Sequence, residues 1–235
     1  MLKTRSPPNI DLVRRAEIAA DKRRRTRSGI LMASFRLIGE ERGDFQRVED
    51  FCTAAGISRG TFYNYFPSVE ALYETLANEL SRDFDSAVHG IIEAMSSAAE
   101  RTAAAVRYYM QAAIANPRWG WAMVHTSLGS DVFGPEVSAR AKSTIQEGID
   151  SGEFSIKSAE LGKALLLGAG LAGILDIVRG RVGPDYPREM ARHTLMGLGV
   201  GTEVADRLVR ARLPPISPIV DDGVTSPVNF WASPP

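Results

Sequence analysis

Within eight consecutive positions, Ser58, Arg59, Thr61, Tyr63, Asn64 and Tyr65 gather side chains suited to reading nucleic acid. A guanidinium bonds a guanine edge through two N–H groups, an Asn amide does the same for adenine, and hydroxyls donate to phosphate oxygens. For the two tyrosines the alternative is ring packing with the hydroxyl left in water. A second group lies upstream, in Lys22-Arg23-Arg24-Arg25-Thr26-Arg27. These cations fall in what reads as the first turn of a helix, where they oppose the macrodipole. A phosphate bound at Arg24, Arg25 and Arg27 would relieve that conflict; a solvated charge run is the other reading.

A third group is apolar. Tyr108, Tyr109, Met110, Trp119, Trp121, Met123, His125 and Phe133 crowd the middle of the chain. A pocket wall needs apolar area and a few polar anchors. Tyr109, Trp119, Met123, His125 and Phe133 are the candidates to hold a small, largely apolar effector, with Asn116 and Thr126 as further anchors. An aromatic core is the competing reading. Other chemistries lack their residues. There is no Gly-rich phosphate loop or nucleophile elbow, and His89, His125 and His193 lack ligand spacing. Neither catalysis, a cofactor nor a metal is expected.

An all-α fold must position these groups, because apolar residues recur at helical spacing and no segment sustains alternation. Residues 1–20, with Pro7-Pro8, read as a flexible basic arm, and residues 21–67 as a helix-turn-helix domain. Val48, Phe51, Cys52 and Ala55 form the inward face of a short helix, Gly56 turns the chain, and Ile57 plugs the gap. Ser58 then caps a helix over 59–65. A helix over 69–84 follows, then helices near 86–115, 118–128, 135–150, 157–180, 187–198 and 202–212. Residues 68–213 thus form a larger helical domain. Residues 214–235 hold six of the 13 prolines and read as a non-helical tail.

Charge divides along the same line. Residues 1–66 carry 13 Lys and Arg against eight Asp and Glu, and residues 67–235 carry 15 against 20. A basic N-terminal third on an acidic remainder suits a DNA-contacting module joined to a domain with another task. Cys52 is the single cysteine, so no intramolecular disulfide can form and a reducing compartment is expected. The first ten residues lack the apolar run of a signal peptide. The most apolar stretch, 161–178, carries Lys163 and Asp176 and reads as a buried helix, not a membrane span. A cytoplasmic location is expected.

The run Ala54-Ala55-Gly56-Ile57-Ser58-Arg59-Gly60-Thr61-Phe62-Tyr63-Asn64-Tyr65-Phe66, continued by Ser68-Val69-Glu70-Ala71-Leu72, closely resembles the helix-turn-helix of the tetracycline-repressor (TetR) family. That pattern reads Ala-Gly-Val-Ser-x-Gly-Thr, an apolar residue, Tyr, x, Tyr or His, and Phe, then Ser-Lys-Glu-x-Leu. The resemblance spans roughly residues 22–80. It implies that 59–65 is a recognition helix in the major groove. Arg59, Thr61 and Asn64 would face DNA, Tyr63 and Tyr65 would reach phosphates or base edges, and Phe62 and Phe66 would point into the core. Three positions depart from the family: Val69 replaces a phosphate-meeting Lys, Arg47 stands where a Ser or Thr cap is usual, and the first loop is shifted by a residue.

The resemblance further implies a homodimer on a palindromic operator, with a regulatory domain that binds an effector and releases the DNA-reading heads, most commonly as a repressor. Gly162, Gly168, Gly170 and Gly173 in 159–179 would let another helix approach closely, and with 188–198 would form the dimer seam. Packing within the chain is the alternative. A helix-turn-helix protein without a small-molecule effector is the other functional reading.

Overall fold

The computed structural model describes residues 9–127 and 132–216. Among them the chain forms ten α-helices and no strand: α1 (Asn9–Ile38), α2 (Val48–Ala55), α3 (Arg59–Tyr63), α4 (Val69–Glu93), α5 (Ala98–Ala115), α6 (Pro117–Ser127), α7 (Pro135–Asp150), α8 (Ala159–Val178), α9 (Tyr186–Gly197) and α10 (Thr202–Arg210). Four begin on serines. Ser58, Ser68, Ser97 and Ser158 each accept an N–H of the first turn through Oγ, supplying a partner that the helix cannot. α2 begins on Arg47 instead, and the cap is made in reverse: the Asp50 carboxylate accepts the Arg47 N–H at 2.7 Å. Gly56 closes α2 at φ +64°, which lets the Ile57 N–H reach Cys52 O at 2.9 Å.

Two boundaries differ from the sequence reading. Residues 9–20, expected to be a flexible arm, are helical and continue into α1. After Pro8 no Gly or Pro interrupts the run, and its Ala, Leu and Arg residues favour helix. The break expected near residue 85 falls instead at 94–97, so α4 is one rod of 25 residues. The stop is set at the start of α5, where Glu153 reaches across. Its carboxylate accepts the Ala98 and Ala99 N–H groups at 3.1 and 3.0 Å, together with the hydroxyls of Ser97 and Ser151. The six-proline tail begins as non-helical chain through Ile216, and its remainder lies outside the described residues, as do residues 1–8.

The helices make a small head (α1–α3) and a larger body, with α4 running from one to the other. In the head, Phe35, Ile38, Phe51, Phe62, Phe66 and Leu72 share one core. In the body, α5 and α8 are central: α8 packs on α5, α6, α7 and α9. Three of the four glycines proposed to admit a partner are used within the chain. A Cβ at Gly162 would strike Ile145, one at Gly173 would strike Met110, and one at Gly170 would press on Phe133. Only at Gly168 is the space open. α8 is long and apolar enough to cross a membrane by length and composition, yet it is walled by four helices on one side.

Burial pushes the Glu153 carboxyl up, but its hydrogen bonds from Ser97, Ala99, Ala98 and Ser151 outweigh that and hold it below its ordinary value of 4.5. Its stabilising contribution is therefore complete above that value and is lost as pH falls through the lowered one. Glu153→Gln is expected to cost about 1 kcal/mol near neutrality, as for a lost cap. The gap from wild type in thermal unfolding should be constant above pH 5 and close as pH falls below about 4.

Candidate nucleic-acid interface and body cavity

α3 has only five residues, too few to hold a helix alone. Its orientation comes from Phe62, which is 0% exposed. The ring stacks on Phe51 at 6.4 Å and packs tilted on Phe66 at 5.9 Å, while Phe51 meets Tyr73 of α4 edge-on at 6.1 Å. The opposite face is left to solvent. Ser58, Arg59 and Asn64 are exposed, Tyr63 is 47% exposed, and Thr61 is half-buried with Oγ1 2.9 Å from Ser58 Oγ. Arg59 pairs with Glu49 of α2 at 2.7 Å. So exposed a pair costs little to break, about 1 kcal/mol or less, and leaves Arg59 available to a stronger acceptor.

The basic stretch of α1 divides into residues that face outward and residues that hold the head together. Arg24 pairs with Asp21 one turn back, and Arg25 is exposed with no ion pair among the described residues. Arg27 turns inward. Its Nη1 lies 3.4 Å from Glu79 Oε1 on α4, and its guanidinium sits 5.8 Å over the Phe66 ring. Arg27, expected among the DNA contacts, is thus engaged at the α1–α4 junction. Arg23, passed over in the sequence, donates to Asn64 O at 3.3 Å and covers the Tyr65 ring at 5.3 Å. Tyr65 is thereby half-buried as a packing residue, which favours the packing alternative for it. Cys52 is buried on α2; burial, then Glu49, pushes its thiol pKa up, against the pull of Arg59.

The body holds a half-open cavity of about 100 Å³ between α4, α5, α7 and α8. Tyr109 and Phe133 line it, as expected, but the other three effector candidates do not. Trp119 and Met123 are core residues of α6, with Trp119 tilted against Phe84 at 5.2 Å. His125 stacks on Trp121 and places Nδ1 2.7 Å from Ile38 O at the end of α1. The proposed anchors are satisfied locally: Asn116 Oδ1 accepts the Trp119 N–H, and Thr126 donates to Ala122 O. α6 is covered by α1, α4, α5 and α8, so its aromatic face has no free side. The cavity has polar groups of its own. Thr102 and Tyr109 line it, and their buried hydroxyls have no hydrogen-bond partner. Burial pushes the Tyr109 phenol far above its ordinary pKa, so it is a neutral donor. Asp85, His89 and Arg140 also line the cavity, with Arg140 bonded to the other two. Phe133 holds φ +63°, a left-handed conformation that costs a non-glycine residue about 1–2 kcal/mol.

Residues 97–211 match the family model of the tetracyclin repressor-like C-terminal domain. The HTH-type transcriptional regulator EthR of Mycolicibacterium smegmatis (strain ATCC 700084 / mc(2)155) is 36% identical over 74 residues, covering 32% of this chain and 34% of EthR. Residues 97–211 thus carry a TetR-type C-terminal domain. The sequence match thus spans about a third of that curated relative. Among solved structures, RolR in complex with resorcinol superposes with a TM-score of 0.67 at 24% identity, over 84% of this chain and 100% of RolR. FadR of Bacillus subtilis in complex with stearoyl-CoA gives 0.56 at 19% identity, over 74% and 97%. These likenesses establish the TetR fold, head and body included.

In this TetR-type head, Arg27 serves the α1–α4 junction. Arg27→Ala should lower stability by about 1–3 kcal/mol, because it deprives a buried carboxylate of a partner. Arg25→Ala, on the open face, should stay within about 0.5 kcal/mol of wild type. Chemical denaturation of the two variants checks the contrast.

Proposed function

We propose that this chain is a TetR-family, homodimeric, operator-binding regulator, acting as a repressor that a small, largely apolar effector releases. The observation that carries the reading is α4. Its first half is joined to the head through Glu79 and Arg27, and its second half supplies Asp85 and His89 to the cavity wall. A ligand that displaces the far end of this rod moves the head. The α1–α6 contacts, His125 to Ile38 O and Arg118 to Glu40 at 3.1 Å, offer a second path.

On DNA, Arg59 and Asn64 read base edges, and Ser58, Thr61, Tyr63, Arg24 and Arg25 meet phosphates. Residues 21–67 act as the reading domain and 68–213 as the regulatory and dimerisation domain. The effector is a single ring bearing a hydroxyl. The volume is on the scale of a benzene-sized cavity, about 150 Å³. The unpartnered Thr102 and Tyr109 hydroxyls would meet a polar substituent. RolR, whose ligand is resorcinol, lends support by fold.

The dimer forms on the open face of α8 and the end of α9. Leu161 and Leu165 are 54% and 37% exposed, Met196 is 37% exposed, and Ala164, Gly168 and Ala172 continue the stripe. Such a contiguous apolar face is usual for a protein interface. Gly170 and Leu198 are buried within the chain and lie outside this seam. Operator binding places the protein with the DNA in the cytoplasm.

Arg59→Ala or Asn64→Ala is expected to cost about 1–3 kcal/mol on the operator and relax base preference. Arg25→Ala should weaken all DNA alike and reduce the salt slope by about 1. Fluorescence anisotropy on operator and random duplexes separates the two classes. For the body, Ala141→Phe fills the cavity. It should leave operator affinity intact and remove release by ring-sized phenols, a coupling of about 1–3 kcal/mol in wild type. Full release retained in that variant places the effector elsewhere. Leu165→Arg should yield a folded monomer by light scattering, since the seam would bury an unpaired charge.

A further inference from the structure

The face of α5 turned away from the cavity carries Arg107, which is 4% exposed. Among the described residues no carboxylate pairs with it. Nη1 donates to Ala211 O at 2.8 Å, Nε has no partner, and the charge that acts on it most is another cation, Arg188. Burial, then Arg188, holds its pKa below the ordinary value. Arg188, Arg210 and Arg212 line the same recess, together with Tyr108 and Gln111, and no Asp or Glu does. The recess is shaped by the chain after α10: the Tyr108 hydroxyl donates to Pro214 O at 2.7 Å and fixes 211–216 over α5. The acid nearest to Arg188 is Asp185, 3.7 Å away and 81% exposed, so the acid sits in solvent.

Asp185 faces Arg188 and Asp206 interacts with Arg210 from outside the recess, which leaves Arg107 and Arg212 with no paired carboxylate among the described residues. The protein holds 28 basic and 28 acidic residues, so the cluster is not a by-product of basic composition. Like charges repel, and a buried charge is costly unless an opposite one meets it. A single carboxylate would leave the group in excess. Guanidinium forks match phosphate oxygens two bonds at a time, and several of them suit several phosphate oxygens. The recess measures about 490 Å³, within the range of about 300–1,000 Å³ usual for small-molecule sites.

We infer that this recess, on α5, α9 and the segment after α10, is a second ligand site that takes a small molecule bearing a di- or polyphosphate group. It is separate from the effector cavity and from the DNA-reading face. A ligand there ties α9 to α5 and to the post-α10 segment by replacing repulsion with shared counter-charge.

Inorganic pyrophosphate is the probe, titrated by calorimetry into the full-length protein at constant ionic strength, with sulfate in parallel. One saturable site per chain is expected, with sulfate weaker by about tenfold or more, because it offers fewer charged oxygens. Arg107→Gln is the direct variant, but it alters a buried group and its folding. Arg188→Gln with Arg212→Gln changes only exposed side chains; it should keep the unliganded unfolding temperature and weaken pyrophosphate at least about tenfold. Arg25→Gln, in the head, should leave the titration unchanged. No saturable binding, equal binding in the Arg188/Arg212 double variant, or loss of binding in Arg25→Gln would each overturn the assignment.

Discussion

The aim of the reading helix rests on one buried ring. Five residues of α3 cannot fix their own direction, and the caps at Ser58 and Asn64 define its ends but not its tilt. Phe62 sets the tilt by entering a socket made by Phe51 of α2 and Phe66 beyond α3, with Tyr73 of α4 behind Phe51. A side chain locked at native packing density has two consequences here. Arg59, Tyr63 and Asn64 are held on a common outer face without help from DNA, and any movement of α4 is passed to that face with little slack. The head meets the body through the Arg27–Glu79 pair to α4 and through the contacts of α1 with α6, among them His125 on Ile38 O.

That arrangement separates two kinds of basic residue that look alike in the chain. Arg23 and Arg27 lie four apart and use their guanidiniums on Tyr65, Asn64 O, Phe66 and Glu79, joining α1 to the end of α3 and to α4. Arg24 and Arg25 fall on the exposed surface. Four-residue spacing returns a side chain to the same helix face, so Arg23, though exposed, shares with the half-buried Arg27 the side of α1 that meets α3 and α4. Ile30, Leu31, Phe35 and Ile38 define that face.

The all-helical fold and the helix-turn-helix were legible because they rest on local signals: Gly56 at positive φ, serine caps, and an aromatic cluster in a family-specific order. The end of α4 was missed although a signal stood in the chain. Ser97-Ala98-Ala99-Glu100 has the spacing of a capping box, but the alanine-rich surroundings read as uninterrupted helix. The partner that completes the cap, Glu153, is remote in sequence and could not be seen. The cavity failed for a related reason. Trp119, Met123 and His125 have the right chemistry for a pocket, but α6 is covered by four other helices. The void opens where Gly170, Thr102 and Ala105 leave room beside Tyr109. Small residues on several helices create a void that no single stretch of sequence displays. Likewise Gly162 and Gly173 admit side chains of this chain, Ile145 and Met110, and not a partner helix.

The single cysteine adds a practical property. Cys52 is buried on α2 next to Phe51 in the chain, and burial raises its thiol pKa, which favours the protonated, unreactive form. Alkylation must therefore wait for the head to open, and no other sulfhydryl competes for reagent. The rate of thiol labelling becomes a clock for local opening of the reading head, distinct from global unfolding. Whatever docks on the head or in the body, the extent to which it slows or quickens that clock reports how tightly its site is coupled to the helix that faces DNA.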